Sequence, residues 1–323
     1  MFLIILFSGC AKSQPKELNH ASLSPEATAS PPNTPSPDRV VLAISETDNA
    51  TTVTDAENLL SELAAESNLE FETRQKIYTN EITPDVKIMV FLSNPENLGV
   101  LANVAPYTQF VVLSDRDWHP SANINIIRIK PEHQSFLAGY ITTMIPANFR
   151  GGGLLATEDT LLNQAFENGG HYYCGLCQAL VFPLNQYPAT AIISGDSPAS
   201  SWQAAFEELN LDIIQALYVA PESYSPELFN YLANYDIALI GIDPPIDEAR
   251  SHWAVTILTD GISPILSIWN DLLEGKGGKT INASLKLTDI QSAYLTEGKL
   301  KLVQKVIDSL QAGEIYTLDI PLE

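Results

Sequence analysis

The sequence is poor in positive charge. Lys and Arg account for 17 of its 323 residues, against 39 Asp and Glu, and the formal net charge is −22. Such a surface repels phosphate backbones and anionic lipid headgroups over most of its area. Nucleic acid is therefore not expected as a partner.

Motifs of catalysis are absent as well. The chain has no G-x-S-x-G nucleophile elbow, no Walker A phosphate loop, no H-E-x-x-H zinc motif and no G-x-G-x-x-G fingerprint. Its five His residues are scattered, at positions 20, 119, 133, 171 and 252. We therefore expect neither an enzyme nor a bound cofactor.

Cysteine is scarce, and two of the three cysteines form a C-x-x-C motif, Cys174 and Cys177, with His171 three residues upstream. A structural zinc site normally needs a second ligand pair, which is missing, and haem attachment needs a His directly after the second cysteine. A thioredoxin-like motif starts a helix, whereas this pair falls where a helix beginning near Leu161 continues or ends. A local Cys174–Cys177 disulfide is the favoured interpretation and no metal is expected, with a metal, sensor or redox role as the alternative.

The first nine residues, MFLIILFSG, are an apolar run that ends at Cys10 and is much too short to cross a bilayer as a helix. An apolar segment followed by small residues and a cysteine resembles the bacterial lipobox, whose cysteine is lipidated. Residues 1–10 are thus expected to be a lipoprotein signal peptide, with Cys10 anchored at the outer face of the cell membrane. The alternative is a hydrophobic N-terminal segment of a cytosolic protein.

Residues 11–38 are rich in Pro, Ser, Ala and Thr, and Leu18 and Leu23 are their only large aliphatic side chains. Such a segment lacks the material for a core and predicts a disordered linker. As a random coil it would hold a folded domain about 30 Å from the membrane. Anchor, spacer and globular domain together are the layout of a surface lipoprotein.

The remaining sequence alternates short β-rich apolar runs with helical segments. Continuous Val and Ile runs are typical of parallel strands that are covered on both faces. A first series of strands is predicted at 40–45, 87–92, 110–114 and 124–129, and a second at 150–156, 190–194, 213–219 and 237–242. Two later strands are predicted at 254–258 and 281–285, in a tail that could belong to either lobe. Helices are predicted at 56–65, 135–145, 202–209, 226–233, 262–274 and 300–311. The pattern indicates an α/β fold with two doubly wound, Rossmann-like lobes.

Several segments resemble the basic membrane protein family of nucleoside-binding lipoproteins, which are substrate-binding proteins of ABC transporters. They are QSFLAGYI at 134–141, the glycines at 151–153, FENG at 166–169, APYTQFVVLSD at 105–115, LIGID at 239–243, and the run 253–278. The similarity spans roughly residues 85 to 315. Within FLAGY the residues read as packing material, because Ala138 and Gly139 allow a close approach.

This resemblance implies the type I periplasmic-binding fold, in which two lobes joined by a hinge close on a ligand that is delivered to a permease. The expected N-terminal lobe is 39–131 plus about 257–285. The expected C-terminal lobe is 132–256 plus about 286–323. The loop 45–52, after the first strand, lacks the aromatic residue of the family, and an acid at Asp260 stands near the usual Lys, so the ligand can differ from a nucleoside.

Ligands of open parallel sheets lie beyond the carboxyl ends of the strands, and the residues predicted there are candidates for binding. They are Asp48, Asn49, Asp115, Trp118, Glu158, Asp159, Tyr218 and Asp243, with Asp260 as a weaker member. Asp243 matches the acidic position of the family. Each can instead be a solvated loop residue or a helix cap: Asp159 could cap the next helix, and Trp118 could pack on its own lobe.

The sequence thus predicts a monomeric, lipid-anchored substrate-binding protein of an ABC importer, whose partners are a membrane permease and a small polar ligand, nucleoside-like or otherwise carrying hydroxyls or an amine. The alternative is a sensory or partner-binding surface lipoprotein with the same fold. An enzyme is the third possibility.

Overall fold

The computed structural model describes residues 37–46, 48–177, 182, 184 and 187–319. The expected lipid anchor at Cys10 and nearly all of the expected linker at 11–38 lie outside the described residues.

The described residues form twelve strands and eight α-helices. In chain order the strands are β1 (Arg39–Ala43), β2 (Glu70–Arg74), β3 (Val86–Phe91), β4 (Gln109–Ser114), β5 (Ile124–Arg128), β6 (Gly151–Ala156), β7 (Ala189–Ile193), β8 (Ala216–Val219), β9 (Ala238–Gly241), β10 (Trp253–Asp260), β11 (Thr280–Asn282) and β12 (Ser284–Thr288). The helices are α1 (Ala50–Glu66), α2 (Leu98–Val104), α3 (Pro131–Met144), α4 (Thr160–Cys174), α5 (Ala199–Asn210), α6 (Pro226–Leu232), α7 (Ile265–Leu273) and α8 (Glu297–Gln311).

The strands pair into two six-stranded sheets, each of which forms the centre of one lobe. The first lobe has the order β11-β5-β4-β3-β1-β2, and the second has the order β12-β10-β9-β8-β6-β7. Among the described strands every pairing is parallel except that of β12 with β10. The prediction of two doubly wound α/β lobes is confirmed.

Both faces of the first sheet are covered by helices, which explains the continuous apolar runs of its strands. Along β1, Val40 and Leu42 pack into a cluster with Trp269 of α7, while Val41 packs on the opposite face with Leu101 of α2. Successive side chains of a strand point to opposite faces, so a strand buried on both faces is apolar at every position. The same rule holds for the second sheet, which has α3, α4 and α8 on one face and α5 and α6 on the other.

The chain passes between the sheets three times. It leaves the first sheet after β5, returns to the first lobe after β10, and leaves it again between β11 and β12, which are separated by Ala283 alone. The single strand predicted at 281–285 was wrong, because the apolar run that suggested it belongs to two strands in different sheets. The sequence prediction missed β2 and α2. Strand β2 reads EFETR, lies at a sheet edge and has no apolar run.

Helices α3 and α4 cross at very close range through glycine. A Cβ atom on Gly139 would lie 1.8 Å from the backbone oxygen of Phe166, and one on Gly169 would lie 1.8 Å from that of Phe136. These residues belong to the FLAGY and FENG segments. Their role in the fold is therefore to let two helix backbones touch beneath the second sheet.

We expect the substitution Gly139→Ala to lower the free energy of unfolding by about 3 kcal/mol, because the added methyl group must push two helix backbones apart. The measurement is urea denaturation followed by circular dichroism. The matched control is Gly298→Ala in α8, where a Cβ would meet nothing within 4 Å. That change should be neutral or stabilise by up to about 1 kcal/mol, and an equal loss in both variants would contradict the packing assignment.

Candidate functional site

The carboxyl end of the first sheet carries an open hollow of about 390 Å³, formed by the loops after β1, β2 and β3. We call it the first-lobe hollow. Its lining includes Ile44, Ser45, Gln75, Ile77, Phe91 and Asn94. An apolar floor with a few amide and hydroxyl groups at its rim is the usual composition of a small-molecule site.

Two residues in this hollow were not among the sequence candidates. Phe91, the last residue of β3, lies nearly parallel to Phe110, with ring centroids 6.4 Å apart. Asn94 donates from Nδ2 to Asp115, 3.1 Å away, while its buried Oδ1 has no hydrogen-bond partner among the described residues. The hollow thus contains part of an aromatic ring at Phe91, which is 7% exposed, and an acceptor without a partner among the described residues at Asn94.

The carboxyl end of the second sheet carries a smaller hollow of about 70 Å³, which we call the second-lobe hollow. It lies between the ends of β6, β8 and β9 and the start of α3. Its polar lining consists of Gln134, Ser135, Asp159, Asn163, Tyr218 and Glu222. Two of the sequence candidates, Asp159 and Tyr218, therefore meet here.

Tyr218 is fixed by packing and keeps its hydroxyl group available. Its ring stacks on Phe166 with centroids 5.4 Å apart, and the residue is only 5% exposed. Burial, followed by the charges of neighbours that include Glu222, Asp159 and Asp243, raises the pKa of Tyr218 far above its usual value. The phenol is therefore neutral at physiological pH and can donate or accept a hydrogen bond.

The acids around this hollow differ in how they are held. Glu158 accepts from Ser194 Oγ at 2.8 Å and from the Gly195 amide at 2.9 Å. These bonds, that of Gly195 first, lower the pKa of Glu158 and keep it ionised. Glu222 differs, because loss of water around its carboxyl, together with the charges of Asp159 and Glu158, raises its pKa.

Three other candidates hold turns together. Asp48 accepts from the Ser45 amide at 2.6 Å. Asn49 caps α1 by accepting from the amides of Thr51 and Thr52. Asp260 accepts at one oxygen from the amides of Ile262 and Ser263, both at 3.0 Å, and at the other from Ser263 Oγ at 2.6 Å.

The lining of the second-lobe hollow includes Asp159 but not the remaining candidates, Asp115, Trp118 and Asp243. Asp115 is exposed and lines a separate depression near the start of α3. Trp118 packs against the core of its own lobe. Asp159 stands at the N-cap position of α4 but makes no capping side-chain bond, which leaves its carboxylate for the hollow. Asp243 is half-buried after β9 and acts on Tyr218 through its charge.

Cys174 and Cys177 lie at the C-terminal end of α4, with Cα atoms 5.2 Å apart. A disulfide bond spans Cα separations of about 4.4–6.8 Å, so the geometry allows it. The first cysteine ends a helix instead of starting one. The disulfide stays a prediction.

Two features are absent from the described residues. No helix in them is both long and apolar enough to span a bilayer. No set of three or more His, Cys, Asp or Glu in the same part of the chain could hold a metal ion.

The structure gives Asp260 a local role that can be separated from ligand binding. We expect Asp260→Ala to lower the free energy of unfolding by about 1–2 kcal/mol, because three donors at the start of α7 lose their acceptor. Asp260→Asn keeps one acceptor oxygen and should lose less. Chemical denaturation measures both. Unchanged stability with weakened ligand binding would instead place Asp260 in the binding site.

Comparison with known proteins shows similarity at the level of the fold. No protein-family model and no curated protein sequence matches the chain. An ABC transporter solute-binding protein from Conexibacter woesei aligns with a TM-score of 0.61 at 15% identity, over 87% of this chain and 100% of that one. A transcriptional activator of the comK gene from Bacillus halodurans also reaches 0.61, at 12% identity over 86% and 99%. An arabinose-binding protein from Geobacillus stearothermophilus reaches 0.53, at 12% identity over 78% and 97%. The chain has the type I periplasmic-binding fold.

Proposed function

We propose that the chain is an extracytoplasmic substrate-binding protein of an ABC importer, and not an enzyme, and that its two lobes close on a small polar ligand. The observation that carries this proposal is a hollow at the carboxyl end of each sheet, in two lobes that one chain crosses three times. The smaller hollow alone is too small for a whole metabolite. Closure of the hinge would combine the two into one site.

The solved structures support this function by analogy. They include a solute-binding protein of an ABC transporter and an arabinose-binding protein. The resemblance of segments such as QSFLAGYI to the basic membrane protein family favours a nucleoside-like ligand within this class. Phe91 offers a surface on which a base or a sugar ring could stack.

A second function, ligand sensing for a protein partner, is favoured by one observation. The transcriptional activator matches the fold as well as the Conexibacter protein does, with a TM-score of 0.61 for both. Either a permease or a signalling partner could recognise the closed lobes. Uptake of the bound compound by cells that lack this chain separates the two: lost uptake supports transport, and normal uptake supports sensing.

The ligand-binding proposal predicts a hit in a thermal-shift screen of nucleosides, bases, sugars, amino acids and polyamines. A ligand at 100 times its Kd adds about 2.7 kcal/mol to stability, which is a shift of about 5 °C or more for a protein of this size. Small-angle scattering should show a smaller radius of gyration when the hit is bound.

Binding of the same compound should require residues of both lobes. Asn94→Ala in the first lobe and Tyr218→Phe in the second should each weaken its binding, whereas Asn58→Ala, at an exposed position of α1, should not. A screen without any hit would count against the proposal. So would a hit that neither substitution affects.

We also propose that Cys10 carries the lipid that anchors the chain outside the membrane. The full chain, produced in a bacterial host, should incorporate labelled palmitate and sediment with the membrane fraction. Cys10→Ser should abolish both, while Cys174→Ser should keep the label. Labelling that survives Cys10→Ser would refute this assignment.

A further inference from the structure

The second-lobe hollow holds negative charge that its own lining does not neutralise. Asp159 and Glu222 line it, and Glu158 lies beside Glu222 across Gly195. The lining includes no Lys, Arg or His. Among the described residues, no ion pair includes Asp159, Glu222 or Glu158.

The Lys and Arg residues of the segment 132–256 bond with groups outside the hollow. Between residues 132 and 256 the sequence contains only two, Arg150 and Arg250. Arg150 is buried and donates to the backbone oxygens of Asp212 and Phe182, while Arg250 pairs with Asp247. Neither lines the hollow.

The later part of the lobe adds four lysines, of which Lys286 pairs with Asp55, Lys299 donates to the backbone oxygens of Ile145 and Tyr294, and Lys301 pairs with Glu297. None of the four lysines lines the hollow.

Tyr218 gives a second and independent sign of a ligand. The residue lines the hollow and is only 5% exposed. None of the hydrogen bonds among the described residues involves its hydroxyl, and that oxygen is not one of the fully enclosed atoms without a partner, so it is accessible from the hollow. Ser135 and Asn163 in the same lining are satisfied, by Leu162 and Ala156. The Tyr218 hydroxyl is therefore the lining group whose hydrogen bonds remain open to a ligand.

We propose that the second-lobe hollow binds a protonated amine of the ligand, with Asp159 and Glu222 as its carboxylate partners and the Tyr218 hydroxyl as a further acceptor. This inference rests on the proposed ligand-binding function and narrows its substrate class. An ammonium group has three donors and no acceptor, which matches three acceptors around one small space. A hollow of about 70 Å³ holds roughly two water molecules, enough for such a terminal group.

The first-lobe hollow suits the rest of such a ligand. Its lining is mainly neutral, with Phe91 and Ile77 as apolar surface and with Asn94 and Gln75 as hydrogen-bonding groups. A neutral polyol could donate hydroxyls to the carboxylates, but it would leave their charge uncompensated in a partly dry site. The amine is the group that satisfies the charge and the donors together.

Matched pairs of compounds test the inference by isothermal titration calorimetry on the full chain. The amines are putrescine, spermidine and glucosamine, and the neutral partners are 1,4-butanediol and glucose, with adenosine as a neutral nucleoside. At least one amine should bind, and its neutral partner should bind at least tenfold more weakly. Glu222→Gln and Asp159→Asn should each weaken amine binding by roughly tenfold to a hundredfold.

The control for these variants is Glu208→Gln, which removes the same charge from an exposed position of the same lobe and should not change the affinity. Tyr218→Phe keeps the packing on Phe166 and should cost several-fold. If a neutral sugar or nucleoside binds and Glu222→Gln leaves its affinity intact, the amine assignment is overturned while ligand binding stands. If neither this panel nor the broader screen yields any binding, both proposals fall.

Discussion

The structure depends on a chain that is shared between two sheets. The third crossing is the tightest, since β11 ends at Asn282 in the first sheet and β12 begins at Ser284 in the second. The residue between them, Ala283, donates its amide to the Arg128 oxygen at the end of β5 and packs in the core of the first lobe. A single buried residue thus links the two sheets at this crossing.

Specific contacts also lie at the second crossing and between the lobes. At the second crossing, Gly261 lies so close to Leu113 that a Cβ would be 2.7 Å from its side chain. Asp260 fixes the turn that follows. Across the lobes, Lys286 of β12 pairs with Asp55 of α1 at 3.2 Å, a partly exposed ion pair of small energetic value. A weak ion pair between the lobes is compatible with the hinge closure that the proposed function requires.

The sequence pattern was sufficient to predict the two lobes but not the residues of the candidate site. Particular residues show the reason. Strands such as β3 and β4 are apolar at nearly every position, a pattern that only a doubly covered sheet produces. Acids at strand ends carry no such distinction, because the same carboxylate can cap a turn or bind a ligand. Asp260 and Asp159 look alike in sequence. Only the positions of nearby backbone amides, which exist after folding, show that Asp260 is engaged and Asp159 is not.

Residues missed by sequence reasoning have a related cause. Phe91 is the last residue of a buried strand, so the sequence pattern assigns it to the core. The side chain is indeed only 7% exposed. Gln75 follows β2, a strand that sequence pattern did not reveal, so its place at a strand end was hidden as well. Composition gave a better signal than spacing in the second lobe. The segment 132–256 has only two Lys or Arg residues among many acids, so acids without an ion pair are expected there, although composition does not say which acids they are.

The uneven distribution of charge also assigns different tasks to the two hollows. An overall charge of −22 raises the local concentration of cations around the protein, and the acids of the second-lobe hollow extend that field to a specific point. On the proposal of an amine ligand, the second lobe alone can therefore capture the charged end while the lobes are open. The first-lobe hollow is mainly neutral and contacts the remainder only on closure. Attraction then resides in one lobe and discrimination between amines in the other, so substitutions in the first lobe can change which amine is bound without removing the preference for a cation.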